Sequence, residues 1–202
     1  FTPTLPYLAD VKGCSFISSS KFLDAVGVDV IPQQVFTGQK GLTVSSCSFN
    51  GLDYGVSYHN TSDYTYTLAA FDTMLDTFTI KNCKFSYIGK EAVGGGNATN
   101  LLTGSTNRYW AFSTSSFKDN SLNNIMTRNE GGNFVAVSGK NVFVTGNDIS
   151  DSNVSIASAK MFFIGTPKNL VLSNNDVWNT VQNTNAVGVD LTFAHISLNS
   201  LG

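Results

Sequence analysis

Asp148 and Asp176 each follow an asparagine at the close of two matching segments, VTGNDI from Val144 and LSNNDV from Leu172. When further copies of this segment are aligned, Asp119 and Asp151 fall on a second shared position three residues later, in neighbouring copies. If neighbouring copies stack as strands about 4.8 Å apart, the four carboxylates share one face at separations of roughly 5–12 Å. Carboxylates so placed could coordinate a hard cation such as calcium, or act as an acid/base pair on a sugar. Aspartate is also favoured just after a bend, where its side chain bonds nearby backbone, so a solvated polar face explains the same pattern. All three readings stand, and no residue is assigned a catalytic role.

Cys14, Cys47 and Cys83 occupy the bend position of the first three copies. Three cysteines without a CxxC pair match neither a disulfide framework nor a zinc site. Stacked one above another, they read as a buried ladder of free thiols, as one strained disulfide plus a free cysteine, or as a redox or metal site. His59 and His195 have no partner motif. Tyr54, Tyr58, Tyr64, Tyr66, Tyr87, Tyr109 and Trp178 are outward aromatics, several of them in YGVSYHNTSDYTY, read as a long loop that could form a shelf for sugars or pack upon itself. GKEAVGGGNATN lacks the Lys-Ser/Thr of a phosphate loop and reads as a flexible turn insertion. Asn60, Asn97 and Asn153 head N-glycosylation sequons.

The elements that would position these groups follow from the repeat. The copies are LADVKGCSFIS, GLTVSSCSFNG, TFTIKNCKFSY, YWAFSTSSFKDN, KNVFVTGNDISDS, KNLVLSNNDVWNT and DLTFAHISLNS. The last apolar residue before the bend is Val11, Val44, Ile80, Phe112, Val144, Leu172 or Phe193. The bend position holds Cys14, Cys47, Cys83, Ser115, Asn147, Asn175 or Ile196. Two residues further lies Phe16, Phe49, Phe85, Phe117, Ile149, Val177 or Leu198. Intervals of 33, 36, 32, 32, 28 and 21 residues are tolerable if the surplus leaves as loops between strands. Alternation at period two excludes helices and places Val142, Val144 and Ile149 inside, with Phe143 and Asp148 outside. A second strand is expected before each copy from the second to the sixth, in QVFTG, TYTLAAF, NLLTG, FVAVSG and MFFIG. The expected fold is all-β: a parallel β-helix of about seven coils with loop insertions, spanning 1–202 as a single domain.

Composition agrees. Only 13% of residues are charged, 42% are hydrophobic, and 21 Asn and 23 Ser supply turns. A net charge of −2 with scattered basic residues argues against nucleic-acid binding. No apolar run reaches the roughly 18 residues of a membrane helix. The copies run nearly to both ends without a capping helix, so the chain is expected to be a segment of a longer fibre, or to self-associate with neighbouring solenoid segments.

The segments VTGNDI and LSNNDV resemble the repeat of the right-handed parallel β-helix superfamily, which includes pectate lyases, polygalacturonases, phage tailspikes and bacterial surface passengers. The resemblance runs from about Leu8 to Leu201. It implies a right-handed coil with Asn147 and Asn175 in an asparagine ladder, from which the three cysteines depart. The paired aspartates, GHG histidine and RIK motif of the hydrolases are missing. Pectate lyases combine calcium-binding aspartates with an arginine base, whereas Arg108 and Arg128 fall in loops of the alignment. The expected function is a structural or adhesive protein, an extracellular or cell-surface scaffold whose loops contact carbohydrate and carry glycans. The alternatives are a polysaccharide lyase or glycoside hydrolase, with calcium, and a phage or viral tail-fibre domain. No other cofactor is expected.

Overall fold

The computed structural model describes residues 7–18, 25–30, 40–58, 73–94, 110–128, 133–152, 160–165, 167, 169–178 and 187–192. Every element among them is a strand. The first coil is β1 (Tyr7–Lys12), β2 (Ser15–Ile17) and β3 (Val26–Val30), and the second is β4 (Lys40–Ser45), β5 (Ser48–Asn50) and β6 (Tyr54–Tyr58). The third is β7 (Thr73–Lys81), β8 (Lys84–Ile88) and β9 (Glu91–Gly94), and the fourth is β10 (Trp110–Lys118), β11 (Ser121–Ile125) and β12 (Asn133–Ser138). The fifth is β13 (Asn141–Thr145), β14 (Asp148–Ser150) and β15 (Lys160–Gly165), and the sixth is β16 (Asn169–Ser173), β17 (Asp176–Trp178) and β18 (Val187–Thr192). Strands one coil apart pair in parallel, giving three six-stranded sheets: β1-β4-β7-β10-β13-β16, β2-β5-β8-β11-β14-β17 and β3-β6-β9-β12-β15-β18. The chain is a parallel β-solenoid.

The corner between the first and second sheets sets the register. In every coil it is two residues long, and the first of them has positive φ: Gly13, Ser46, Asn82, Asp119, Gly146 and Asn174, between 53° and 68°. Left-handed backbone costs an ordinary side chain roughly 1–2 kcal/mol, and Gly, Asn and Asp bear it most readily. The second residue of the corner is Cys14, Cys47, Cys83, Asn120, Asn147 or Asn175. This corrects the expected frame of the fourth coil. Phe117, not Phe112, pairs with Ile80 and Val144, so Asn120 replaces Ser115 at the bend and Leu122 replaces Phe117 in the following column. The other frame would put β-branched Thr114 at the left-handed position.

One further expectation changes. Asp190–Thr192, in the seventh copy, belong to the third sheet beside Phe163–Gly165; Phe193, Ile196 and Leu198 lie outside the described residues, which contain six coils. The third-sheet strands of the first three coils are VGVDV, YGVSY and EAVG; the expected strands QVFTG, TYTLAAF and NLLTG lie outside the described residues. FVAVSG and MFFIG do supply β12 and β15. VGVDV and YGVSY carry glycines where a strand would be expected to carry bulk. The reason lies across the core: a Cβ on Gly27 would stand 2.6 Å from the Phe49 ring, and one on Gly55 2.5 Å from the Phe85 ring.

The interior is a set of stacked columns. Val44, Ile80, Phe117 and Val144 line the first sheet; Phe49, Phe85, Leu122 and Ile149 the second; Val56, Val93, Val135 and Phe162 the third, all fully or almost fully buried. Val142, Val144 and Ile149 are buried as expected. Phe16, Phe49 and Phe85 stack nearly parallel, with centroids 5.0 and 4.8 Å apart, whereas Phe117, on the first sheet, meets Phe85 tilted at 37°. Among the described residues one buried side-chain polar atom goes unpaired. The hydroxyl of Ser115 lies between Phe78 and Val142 in register and has no hydrogen-bond partner. Burying an unpaired hydroxyl costs about 1–3 kcal/mol. Ser115→Ala is therefore expected to raise unfolding stability by about 1 kcal/mol; a loss of stability in urea titration would contradict this account.

Candidate functional site

Side chains at the bend form one continuous ladder. Each donates to the backbone carbonyl of the apolar residue one coil earlier: Cys47 Sγ to Val11 (3.4 Å), Cys83 Sγ to Val44 (3.6 Å), and Nδ2 of Asn120, Asn147 and Asn175 to Ile80 (3.2 Å), Phe117 (3.0 Å) and Val144 (2.9 Å). The amides do more than the thiols, because their oxygens also accept from the coil before. Asn147 Oδ1 receives the backbone N–H and the amide of Asn120, and Asn175 Oδ1 receives the same two groups of Asn147. At the junction the backbone N–H of Cys83 donates to Asn120 Oδ1 at 2.9 Å. The three cysteines are free; Cys47 and Cys83 are buried, and Cys14, in the first coil, is exposed.

Burial pushes the Cys83 thiol up to about 11 from an ordinary 9.0. The folded state then holds this proton more tightly than the unfolded chain does. The contribution to stability is intact below pH 9 and is lost as pH rises toward 11. Comparing urea midpoints at pH 8 and pH 10 should show a steeper alkaline loss in the native protein than in Cys83→Ser. Identical slopes would refute the assignment.

The outer face of the second sheet carries two of the four aspartates singled out by the repeat. Asp148 and Asp176 stand in direct register on β14 and β17. Asp119 and Asp151 do not join them as a group of four. Asp119 occupies the left-handed position of the first corner, and its carboxylate reaches the space beside Gly146. Asp151 occupies the left-handed position of the second corner, where Gly51, Tyr87 and Asn124 are its counterparts. Among the described residues no three His, Cys, Asp or Glu side chains are grouped to hold a metal. The indole N–H of Trp178 donates to Asp148 Oδ1 at 2.7 Å, and Asn123 Nδ2 donates to Asp151 at 2.8 Å and to Ser150 at 3.1 Å.

A second polar group was not legible in the sequence. The carboxylate of Asp53, 5% exposed, pairs with Arg128 two coils away, and Gly89 in the intervening coil leaves room for the arginine stem. Buried Glu91 accepts a long hydrogen bond from Asn133 (3.4 Å) on the neighbouring strand. Nothing in the spacing of these residues announces contact, since Asp53 and Arg128 are 75 positions apart. An apolar cavity of about 240 Å³ between the fifth and sixth coils is lined by Met161, Phe162, Leu172 and Val177 beside Asn174 and Asn175, and it contains no titratable group. Asn60, Asn97, Asn153, His59, His195 and Arg108 lie outside the described residues, as do Tyr64, Tyr66 and Tyr109. Among the described residues no helix is long and apolar enough to cross a membrane.

Comparison with protein-family models, curated proteins and solved structures returns no match for this chain.

Proposed function

We propose that this chain is a structural or adhesive scaffold of an extracellular or cell surface, built as a right-handed β-helix of the pectate-lyase-like superfamily. The observation that carries the reading is the unbroken register of three parallel sheets over six coils, spined by the bend ladder. Such stacking makes a stiff rod whose stability is shared between neighbouring coils. The two-residue corner with its asparagine ladder supports the superfamily. Among the described residues β1 and β16 end the first sheet, edges that would favour self-association with like segments, and glycans on Asn60, Asn97 or Asn153 would suit the location.

A polysaccharide lyase or hydrolase is the rival reading, favoured by the registered carboxylates of Asp148 and Asp176, with calcium as its cation. Incubation with acidic polysaccharides, with and without calcium, decides between them. The scaffold reading expects no cleavage. Calcium-dependent cleavage that disappears in Asp148→Asn and Asp176→Asn would establish the enzyme instead. A stable trimer in sedimentation would favour a tail-fibre domain.

A further inference from the structure

Tyr87 violates a rule that its counterparts obey. The second corner places Gly51, Tyr87, Asn124 and Asp151 in left-handed backbone, with φ of 71°, 52°, 53° and 50°. Gly, Asn and Asp suit that conformation, whereas a tyrosine there stores strain of about 1 kcal/mol or more. Packing does not offset it, because Tyr87 is 58% exposed. Strain held without a structural return points to function.

Trp178 is the second exposed aromatic on this side, at 53%. It lies three coils further along, one column over from Tyr87, so the two stand roughly 14 Å apart along the axis. Its bond to Asp148 pins the indole against the outer face. Between the two rings run Asn123, Asn124 and Asp151, ordered by mutual hydrogen bonds, including Asn124 Nδ2 to Asn123 Oδ1 at 2.5 Å, with the buried Ser150 hydroxyl bracing Asn123 from beneath. Amides and carboxylates between two presented rings are groups that hold a sugar: rings take the apolar faces of pyranoses, and the polar row takes the hydroxyls. The coil spacing of about 4.8 Å is close to one pyranose in an extended chain. Charge narrows the class. Asp148, Asp151 and Asp176 face this side, with Lys84 the one cation among the outward residues of the second sheet, so a uronate chain would be repelled.

We propose that the outer face of the second sheet, from Tyr87 to Trp178, binds an extended neutral oligosaccharide lying along the solenoid axis. The proposal rests on the scaffold reading and names its ligand. Titration of the full chain with cellohexaose, chitohexaose and hexagalacturonate, followed calorimetrically, tests it. Binding of at least one neutral hexamer is expected, with hexagalacturonate at least tenfold weaker. Trp178→Ala and Tyr87→Asn should each weaken binding about tenfold or more, as expected for aromatic anchors. Tyr87→Asn should also make the protein more resistant to urea, so its lost binding cannot be ascribed to misfolding. Failure of both neutral hexamers to bind, equal binding of hexagalacturonate, or undiminished binding in both variants would overturn the site and leave the scaffold reading standing. Chromatography of the same mixtures reports on that reading separately: cleaved neutral hexamer would overturn the scaffold while keeping the site.

Discussion

Asn147→Ala is expected to destabilise the solenoid by about 4 kcal/mol, because three buried groups lose partners at once. The Phe117 carbonyl loses its amide donor, and the backbone N–H and side-chain amide of Asn120 lose the oxygen that both address. Asn120 is 2% exposed, so water does not readily replace that oxygen. The preceding coils suggest a graded companion. A thiol at this position still reaches the earlier carbonyl, as Cys47 and Cys83 do, but accepts poorly from the coil below. Asn147→Cys should therefore cost about half as much as alanine. Urea unfolding of the three proteins gives the order directly. Equal losses for Cys and Ala would show that the carbonyl contact contributes nothing.

Phe85→Ala should cost about 3–5 kcal/mol, the range for a large aromatic removed from a packed core. Phe85 is fully buried, stacked on Phe49 and touched by Phe117, and the space over Gly55 is shaped to its ring. Phe85→Leu should be far milder, since Leu122 fills the same column one coil later; mainly the ring–ring contacts are lost, at about 0.5–1.5 kcal/mol each. Thermal and urea unfolding of both variants measure the gap. A leucine variant as unstable as the alanine variant would mean that ring stacking, not volume, governs this column.

The bend was legible where its signal was redundant and illegible where one feature stood alone. Five of the six corners follow from an apolar anchor, a small or polar residue at the bend and a second apolar residue two positions on. In the fourth coil YWAFSTSSFKDNSL offers that pattern twice, through Phe112-Ser115-Phe117 and through Phe117-Asn120-Leu122. Apolarity cannot choose between them. Backbone conformation can, because the position before the bend must turn left-handed, which Asp119 does at little cost and a threonine does not. VGVDV and YGVSY were missed for the opposite reason: Gly27 and Gly55 make way for rings on another sheet, a demand that no local window contains. The registered pair Asp148 and Asp176 was legible from the motif itself, whereas the Asp53–Arg128 pair depends on how the whole coil between them is wound.

The ladder has a sense as well as a register. Asn120 gives its amide to Asn147, and Asn147 gives its own to Asn175, so the side-chain dipoles point one way along the axis. A coil inserted in the reverse sense would set donor against donor. A whole unit copied in the original direction keeps that sense unbroken. The spacings of 27 and 28 residues between those asparagines give the length of the segment that would be copied. A gene carrying one more such unit would encode a rod longer by one strand spacing, about 4.8 Å, with every hydrogen bond of the spine preserved.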